Sequence, residues 1–306
     1  MPDNVNLVTG LGSSHAVATL IGTAASQALQ GDAKGNVIAA FRRSFYVQTG
    51  SRRLACIGMK ALGAGPLNVL IVGDWDAKMV PNQNTPIEVI GGHLVIGPLA
   101  IDLNRATPWQ PSPVNWRSSA IGAAHHRIAS LAAGRLPSEG LAPVVFTGVA
   151  EDAVARRAAP AIAALKDWLG SNDAAAPPEA CVILVGLGPG LTPSGDDLIS
   201  GVLITLRSLG QYAAANRLAD WVLRLSDRTN NISQAHLAAA AAGEGSAALH
   251  ATLSALATSD DPALSKSVDA LTAIGHVSGW DALAGVALTL TVASNSLQPG
   301  GVGRSI

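Results

Sequence analysis

The segment Cys181-Val-Ile-Leu-Val-Gly186-Leu-Gly188-Pro-Gly190-Leu-Thr192-Pro-Ser194-Gly195-Asp196-Asp197 joins an apolar run to a glycine-rich turn and then to a helix start. Alternating glycines let a backbone approach a ligand closely, and unpaired amides at a helix N-terminus attract negative charge. Gly188, Gly190, Thr192, Ser194, Gly195 and Asp196 are therefore candidate ligand-binding residues. Neither familiar phosphate motif fits. Leu191 stands where G-x-G-x-x-G needs its third glycine, and a P-loop reading finds Gly190 and Gly195 but Asp196 in place of the lysine. A carboxylate there repels phosphates unless a cation intervenes, so a magnesium-dependent phosphate site on Asp196 and Asp197 is one alternative. A structural alternative makes Ser194 the N-cap and Asp197 the partner of a capping box. Capping alone does not call for the preceding glycines.

A second segment repeats the first. Residues 194–206 align without gaps on residues 278–290, with seven of thirteen positions identical. The shared residues include Ser194 with Ser278, Gly195 with Gly279, Asp197 with Asp281, Gly201 with Gly285 and Thr205 with Thr289. A glycine inside a helix costs roughly 1 kcal/mol relative to alanine. Gly201 and Gly285 therefore point to close helix contact, which would let Asp197 and Asp281 converge on one small polar ligand. His276 precedes the second copy and is a candidate for proton transfer or orientation. Thr229 and Ser233 form a hydroxyl cluster at another helix start; His236, inside that helix, reads as structural, and His125 and His126 have no partner motif. No metal-ligand spacing of the His-x-x-x-His kind and no Gly-x-Ser-x-Gly nucleophile elbow is found, and the sequence specifies no particular cofactor.

The elements that must position these loops are helical. Helical spacing runs over 114–136, 152–169, 197–209, 213–225, 232–242, 247–257, 263–274 and 280–294, with short apolar runs at 144–147 and 181–185 expected as buried strands. The N-terminal third reads as a helix over 14–29 and then strands over 37–49, 54–59 and 68–72. A hairpin is expected over 87–96, turning at Gly91 and Gly92. Pro108, Pro111 and Pro113 then break regular structure. The expected fold class is α+β: a β-rich N-terminal domain, 1–112, and a mainly helical domain, 113–306, holding one or two buried strands and the glycine loop.

Composition narrows the function. Of 306 residues, 55 are Ala and 32 Gly, so the interior must use closely approaching helices. With 48% apolar and 13% charged residues and a net charge of -1, extensive disorder is excluded and a general nucleic-acid footprint is missing. Cys56 and Cys181 lie in apolar runs, which does not suggest a disulfide or zinc site. The apolar stretch 282–293 is too short to cross a bilayer, and the run 16–25 lacks a positively charged flank, so a cytoplasmic protein with no membrane partner is expected.

Three blocks together carry a resemblance: 186–197, Thr229 with Ser233, and Gly275-His276-Val277-Ser278-Gly279-Trp280-Asp281. They resemble the signature blocks of the bacterial AllH-like family, whose named member is a subunit of the oxamate carbamoyltransferase of purine and allantoin breakdown. Val277 departs from the small polar residue expected at its position. The resemblance implies partner subunits and work on oxalurate, phosphate, oxamate and carbamoyl phosphate. On this reading the loop amides hold a small anion, His276, Asp197 and Asp281 are candidate catalytic residues, and Gly188, Gly190, Thr192, Ser194, Gly195, Asp196, Thr229, Ser233, Ser278 and Gly279 bind substrate. A non-catalytic anion-binding or assembly subunit is the other open reading.

Overall fold

The computed structural model describes residues 14–73, 80–171 and 175–297; the tail 298–304, expected to be mobile, and part of the 171–179 loop lie outside them. The chain divides into two compact units, Met1–Pro111 and Ser112–Ile306.

The β-rich first unit is a closed barrel. Its strands are β1 (Ser14–Gly22), β2 (Lys34–Phe41), β3 (Ser44–Thr49), β4 (Leu54–Met59), β5 (Asn68–Gly73), β6 (Pro86–Ile90), β7 (His93–Ile96), β8 (Leu99–Asp102) and β9 (Thr107–Trp109). The order β5-β4-β3-β2-β6-β7-β8-β1 closes on itself through antiparallel pairing of β1 with β5. β8 runs parallel to the first half of β1, and β9 pairs with its last three residues. Phe45, Ile57, Val69, Ile71, Leu94 and Ile101 fill the interior.

Two N-terminal expectations are corrected. The helix expected over 14–29 is β1 followed by the six-residue α1 (Thr23–Ala28). Ala, Val, Leu and Ile in this run suit either conformation, and pairing on both sides with β5 and β8 decides for the strand. Gly22 makes the bend possible, since a Cβ there would lie 2.1 Å from the Gly65 carbonyl oxygen. The run 37–49 is two strands, β2 and β3, with Arg42 and Arg43 at the turn. The hairpin over 87–96 is present: Gly91 and Gly92 have φ of 56° and 78°, as a two-residue turn with both central residues at positive φ requires.

The second unit holds α2 (Ser118–Ala132), α3 (Ala142–Thr147), α4 (Ala153–Gly170), α5 (Ser194–Ser208), α6 (Tyr212–Arg224), α7 (Asn231–Ala241), α8 (Ala247–Thr258), α9 (Asp261–Thr272) and α10 (Ser278–Leu297). The buried strands expected here are absent among the described residues, which overturns that part of the expected fold class. Residues 144–147 belong to α3, which carries Pro143 in its first turn and ends at Gly148 with φ 76°. Cys181 and its neighbours form a 3-10 helix, Glu179–Leu184, closed by bonds such as the Val185 amide to the Val182 carbonyl. Cys181 and Leu184 are buried and Val144, Val145 and Phe146 half-buried against the helical core, and short-range bonds such as these serve their backbone groups. No helix among the described residues is long and apolar enough to cross a membrane.

α10 is buried over most of its length and packs against α5, α2, α3, α4 and α9. A helix apolar on all sides belongs at the centre of its unit. Its closest neighbour is α5, where a Cβ on Gly201 would lie 2.1 Å from the Ala282 carbonyl oxygen. Gly201→Ala should therefore destabilise the chain by about 1–3 kcal/mol despite alanine's better helix propensity. Gly122→Ala in α2, where nothing lies within 4 Å of the added carbon, should stabilise it by about 0.5–1 kcal/mol. Denaturant unfolding followed by far-ultraviolet circular dichroism reads both; a stabilised Gly201→Ala would contradict the backbone contact.

Candidate functional site

α5 and α10 meet with internal symmetry. A Cβ on Gly285 would lie 2.2 Å from the Leu198 carbonyl oxygen, the counterpart of Gly201 against Ala282. The Thr205 hydroxyl donates to the Gly201 carbonyl at 2.7 Å, and the Thr289 hydroxyl to the Gly285 carbonyl at 2.9 Å. The Asp197 amide donates to the Pro193 carbonyl as the Asp281 amide does to that of Val277. Gly195 and Gly279 share a role as well: a Cβ would lie 1.9 Å from the Leu184 oxygen in one case and 1.8 Å from the Leu271 oxygen in the other. These two glycines permit close packing against the preceding segments.

The crossing brings the two helix starts together. The hydroxyls of Thr192 and Ser278 are 3.0 Å apart. Asp281 is fully buried, and its Oδ1 accepts the Leu141 amide at 2.6 Å. Burial pushes its carboxyl up to about 6, against the lowering effect of that amide, the Ser194 hydroxyl and the Ala142 amide; the charge of Asp152 raises it further. Burial also holds Asp197 well above the usual carboxylate range, offset by the hydroxyls of Ser278 and Thr192 and reinforced by the charge of Asp281. Each carboxyl thus faces the serine of the opposite helix. Oδ2 of both residues is sealed from solvent without a hydrogen-bond partner among the described residues. Two such neighbouring groups can share a proton, accept N–H donors, or donate one O–H to a carbonyl.

The capping box is not formed. α5 begins after Pro193 with no side-chain cap, and Ser194 already lies in the helix, turned toward Asp281. Asp196 is engaged by the protein's own donors. Its Oδ1 accepts the Gly186 amide at 2.8 Å, while Oδ2 accepts the hydroxyls of Thr229 at 2.5 Å and Ser233 at 2.6 Å. Asp196 is 1% exposed, so Asp196, Thr229 and Ser233 form a closed clamp that fastens the glycine loop to the start of α7. A magnesium site on Asp196 and Asp197 does not suit this arrangement, since three donors already occupy Asp196. Among the described residues no group of three or more His, Cys, Asp or Glu side chains is placed to hold a metal.

Gly188 has φ 118°, and a Cβ there would lie 2.9 Å from the Ser194 amide nitrogen; Gly190, with φ 94°, has open space around it. Within the described residues no backbone bond engages the amides of Gly188, Gly190, Leu191 or Thr192, whereas those of Gly195, Asp196 and Asp197 are tied to the preceding turn. Candidate anion donors among the described residues are thus the loop amides, together with the Ser194 amide at the first position of α5. His276 is not brought to the carboxyls: its ring is 85% exposed and lies 3.4 Å from the exposed Glu139. The sequence reading missed Gly140, Leu141 and Asp152. Asp152 showed only as a helix start, and a backbone amide donor such as Leu141 leaves no trace in residue type.

Residues 184–290 match the model of a family described as oxamate carbamoyltransferase subunit AllH. The resemblance of the motif blocks to the AllH-like family is shown over this stretch, which holds the glycine loop, Thr229, Ser233 and the second helix start. No curated protein and no solved structure matches the chain.

An acid whose folded-state pKa lies above its unfolded value binds more protons when folded, so stability falls as pH rises from the unfolded value through the folded one. For Asp281 the window runs from 3.8 to about 6. At about 1.4 kcal/mol per unit this costs about 3 kcal/mol above pH 6. Asp281→Asn, which keeps an acceptor for Leu141, should therefore gain stability relative to the parent between pH 4 and pH 7. Urea midpoints that run parallel over that range would contradict a buried, raised Asp281.

Proposed function

We propose that the chain is a subunit of a carbamoyltransferase that exchanges a carbamoyl group between phosphate and oxamate, with carbamoyl phosphate and oxalurate as the other reactants, in purine or allantoin breakdown in the cytoplasm. The observation that carries this reading is the meeting of Asp197 and Asp281, each with a buried, unpartnered oxygen, beside loop amides that no described backbone bond engages. Oxamate has one amide end and one carboxylate end. The carboxyls suit the amide N–H groups, and the amides of Gly188, Gly190, Leu191 and Thr192 suit the carboxylate. As the amide nitrogen of oxamate bonds to the carbamoyl carbon and the C–O bond to phosphate breaks, an ionised carboxylate accepts the proton the nitrogen loses. Loop amides also stabilise charge developing on a carbonyl or phosphate oxygen. Thr192, Ser194 and Ser278 orient the two acids, and the exposed position of His276 favours the aspartates over it for proton transfer.

The matching family is described as an enzyme subunit, which supports an assembly with partner subunits. The reading is tested in the assembled enzyme, identified by the proteins that copurify with the chain. Asp197→Ala or Asp281→Ala should lower turnover by at least roughly tenfold, or about 1.4 kcal/mol of transition-state stabilisation. Full activity in both folded variants would place the chemistry elsewhere. Oxamate binding without any turnover in the complete assembly would favour the alternative of a non-catalytic binding subunit.

A further inference from the structure

Asp152 caps α4, its Oδ1 accepting the Ala155 amide at 2.8 Å. A cap needs only one oxygen, and serine or asparagine supplies it equally well. The second oxygen of Asp152 reaches twelve residues back and accepts the Gly140 amide at 3.1 Å. Gly140 adopts φ 85° and rests on the site: a Cβ there would lie 2.8 Å from Asp281 Oδ1 and 3.2 Å from the Val277 Cβ. The next residue, Leu141, is fully buried and donates its amide to Asp281 Oδ1 at 2.6 Å. One carboxylate thus fixes the glycine whose neighbour engages Asp281.

We propose that Asp152 is a positioning residue for Asp281. By holding Gly140 it seats the Leu141 amide on Oδ1 and leaves Oδ2 without a protein donor among the described residues. The role deepens the reading of Asp281 as a site residue and rests on it. Other groups bearing on the Asp281 carboxyl are Asp197 and Ser194 from α5 and the Leu141 and Ala142 amides at the start of α3.

Asp152→Ser and Asp152→Asn keep a cap on α4 while removing the acceptor for Gly140. Carboxyl carbon NMR of the full chain, with the Asp281 signal assigned by its loss in Asp281→Asn, reads the effect without any substrate. Two influences oppose each other. Losing the Leu141 amide raises the Asp281 pKa, losing the Asp152 charge lowers it, and the amide is the larger. An upward move of at least about half a unit is expected in each variant that folds. A downward move would show that Asp152 acts only as a remote charge, and no move would show that it is only a cap; either overturns the proposal. If the titration moves upward while turnover of the assembled enzyme stays at the parent value, the positioning role stands and the reading of Asp281 as a group in the chemistry fails.

Discussion

Everything at the site depends on two helix backbones touching at Gly201 and Gly285. The contact leaves no room for a side-chain carbon on either helix, since both carbonyl oxygens opposite lie within about 2.2 Å of where a Cβ would be. Because these glycines occupy the same place in two copies of one segment, close approach also superposes what precedes them. Two helix starts, two serines and two aspartates are thereby carried to one spot. Any residue larger than glycine would spread the helices and separate the carboxyls, so helix packing and site geometry are one constraint.

The two copies have diverged where it matters. Position 196 carries an aspartate that ties Gly186, Thr229 and Ser233 into a clamp, while its counterpart Trp280 is a buried apolar residue. Asp281 receives a backbone amide from Leu141, whereas Asp197 is faced by the hydroxyls of Ser278 and Thr192. Equal residues in unequal surroundings are what an acid–base pair requires, because the environment rather than the side chain decides which member holds the proton.

The residues that do the packing were the most legible in the sequence. The gapless repeat with its two internal glycines announced the crossing, and Gly91 and Gly92 announced the hairpin. What failed were assignments that depend on long-range partners. Residues 14–22 carry a mixture that suits helix or strand, and only pairing with β5 and β8 decides for β1. The apolar runs at 144–147 and 181–185 look like strands from composition, but among the described residues no strand lies beside them to pair with. At the site, the convergence of Asp197 and Asp281 was legible from their repeat, whereas the three donors that converge on Asp196 were not, since a carboxylate that closes a clamp and one that meets a ligand look alike in one dimension. The link from Asp152 to Gly140 spans twelve residues and ends on a backbone amide, beyond any pattern of side-chain types.

The energetics of the pair follow from which effect dominates. A helix N-terminus favours a nearby carboxylate by about 0.3–1 kcal/mol, and both aspartates sit in a first turn. Were the dipoles decisive, both would be ionised more readily than in water. Burial moves Asp281 the other way, to about 6, and Asp197 in the same direction. Removal from water therefore outweighs the helix ends, the hydroxyls and the Leu141 amide combined. The folded chain carries that cost at one place, in two carboxyl oxygens with no partner of their own among the described residues. A ligand that brings N–H groups to those oxygens gains not only its own hydrogen bonds but also relief of a desolvation already incurred on folding. Affinity at such a site would favour donors over acceptors, and the loop amides that no backbone bond among the described residues engages would supply the complementary preference for an acceptor at the ligand's other end.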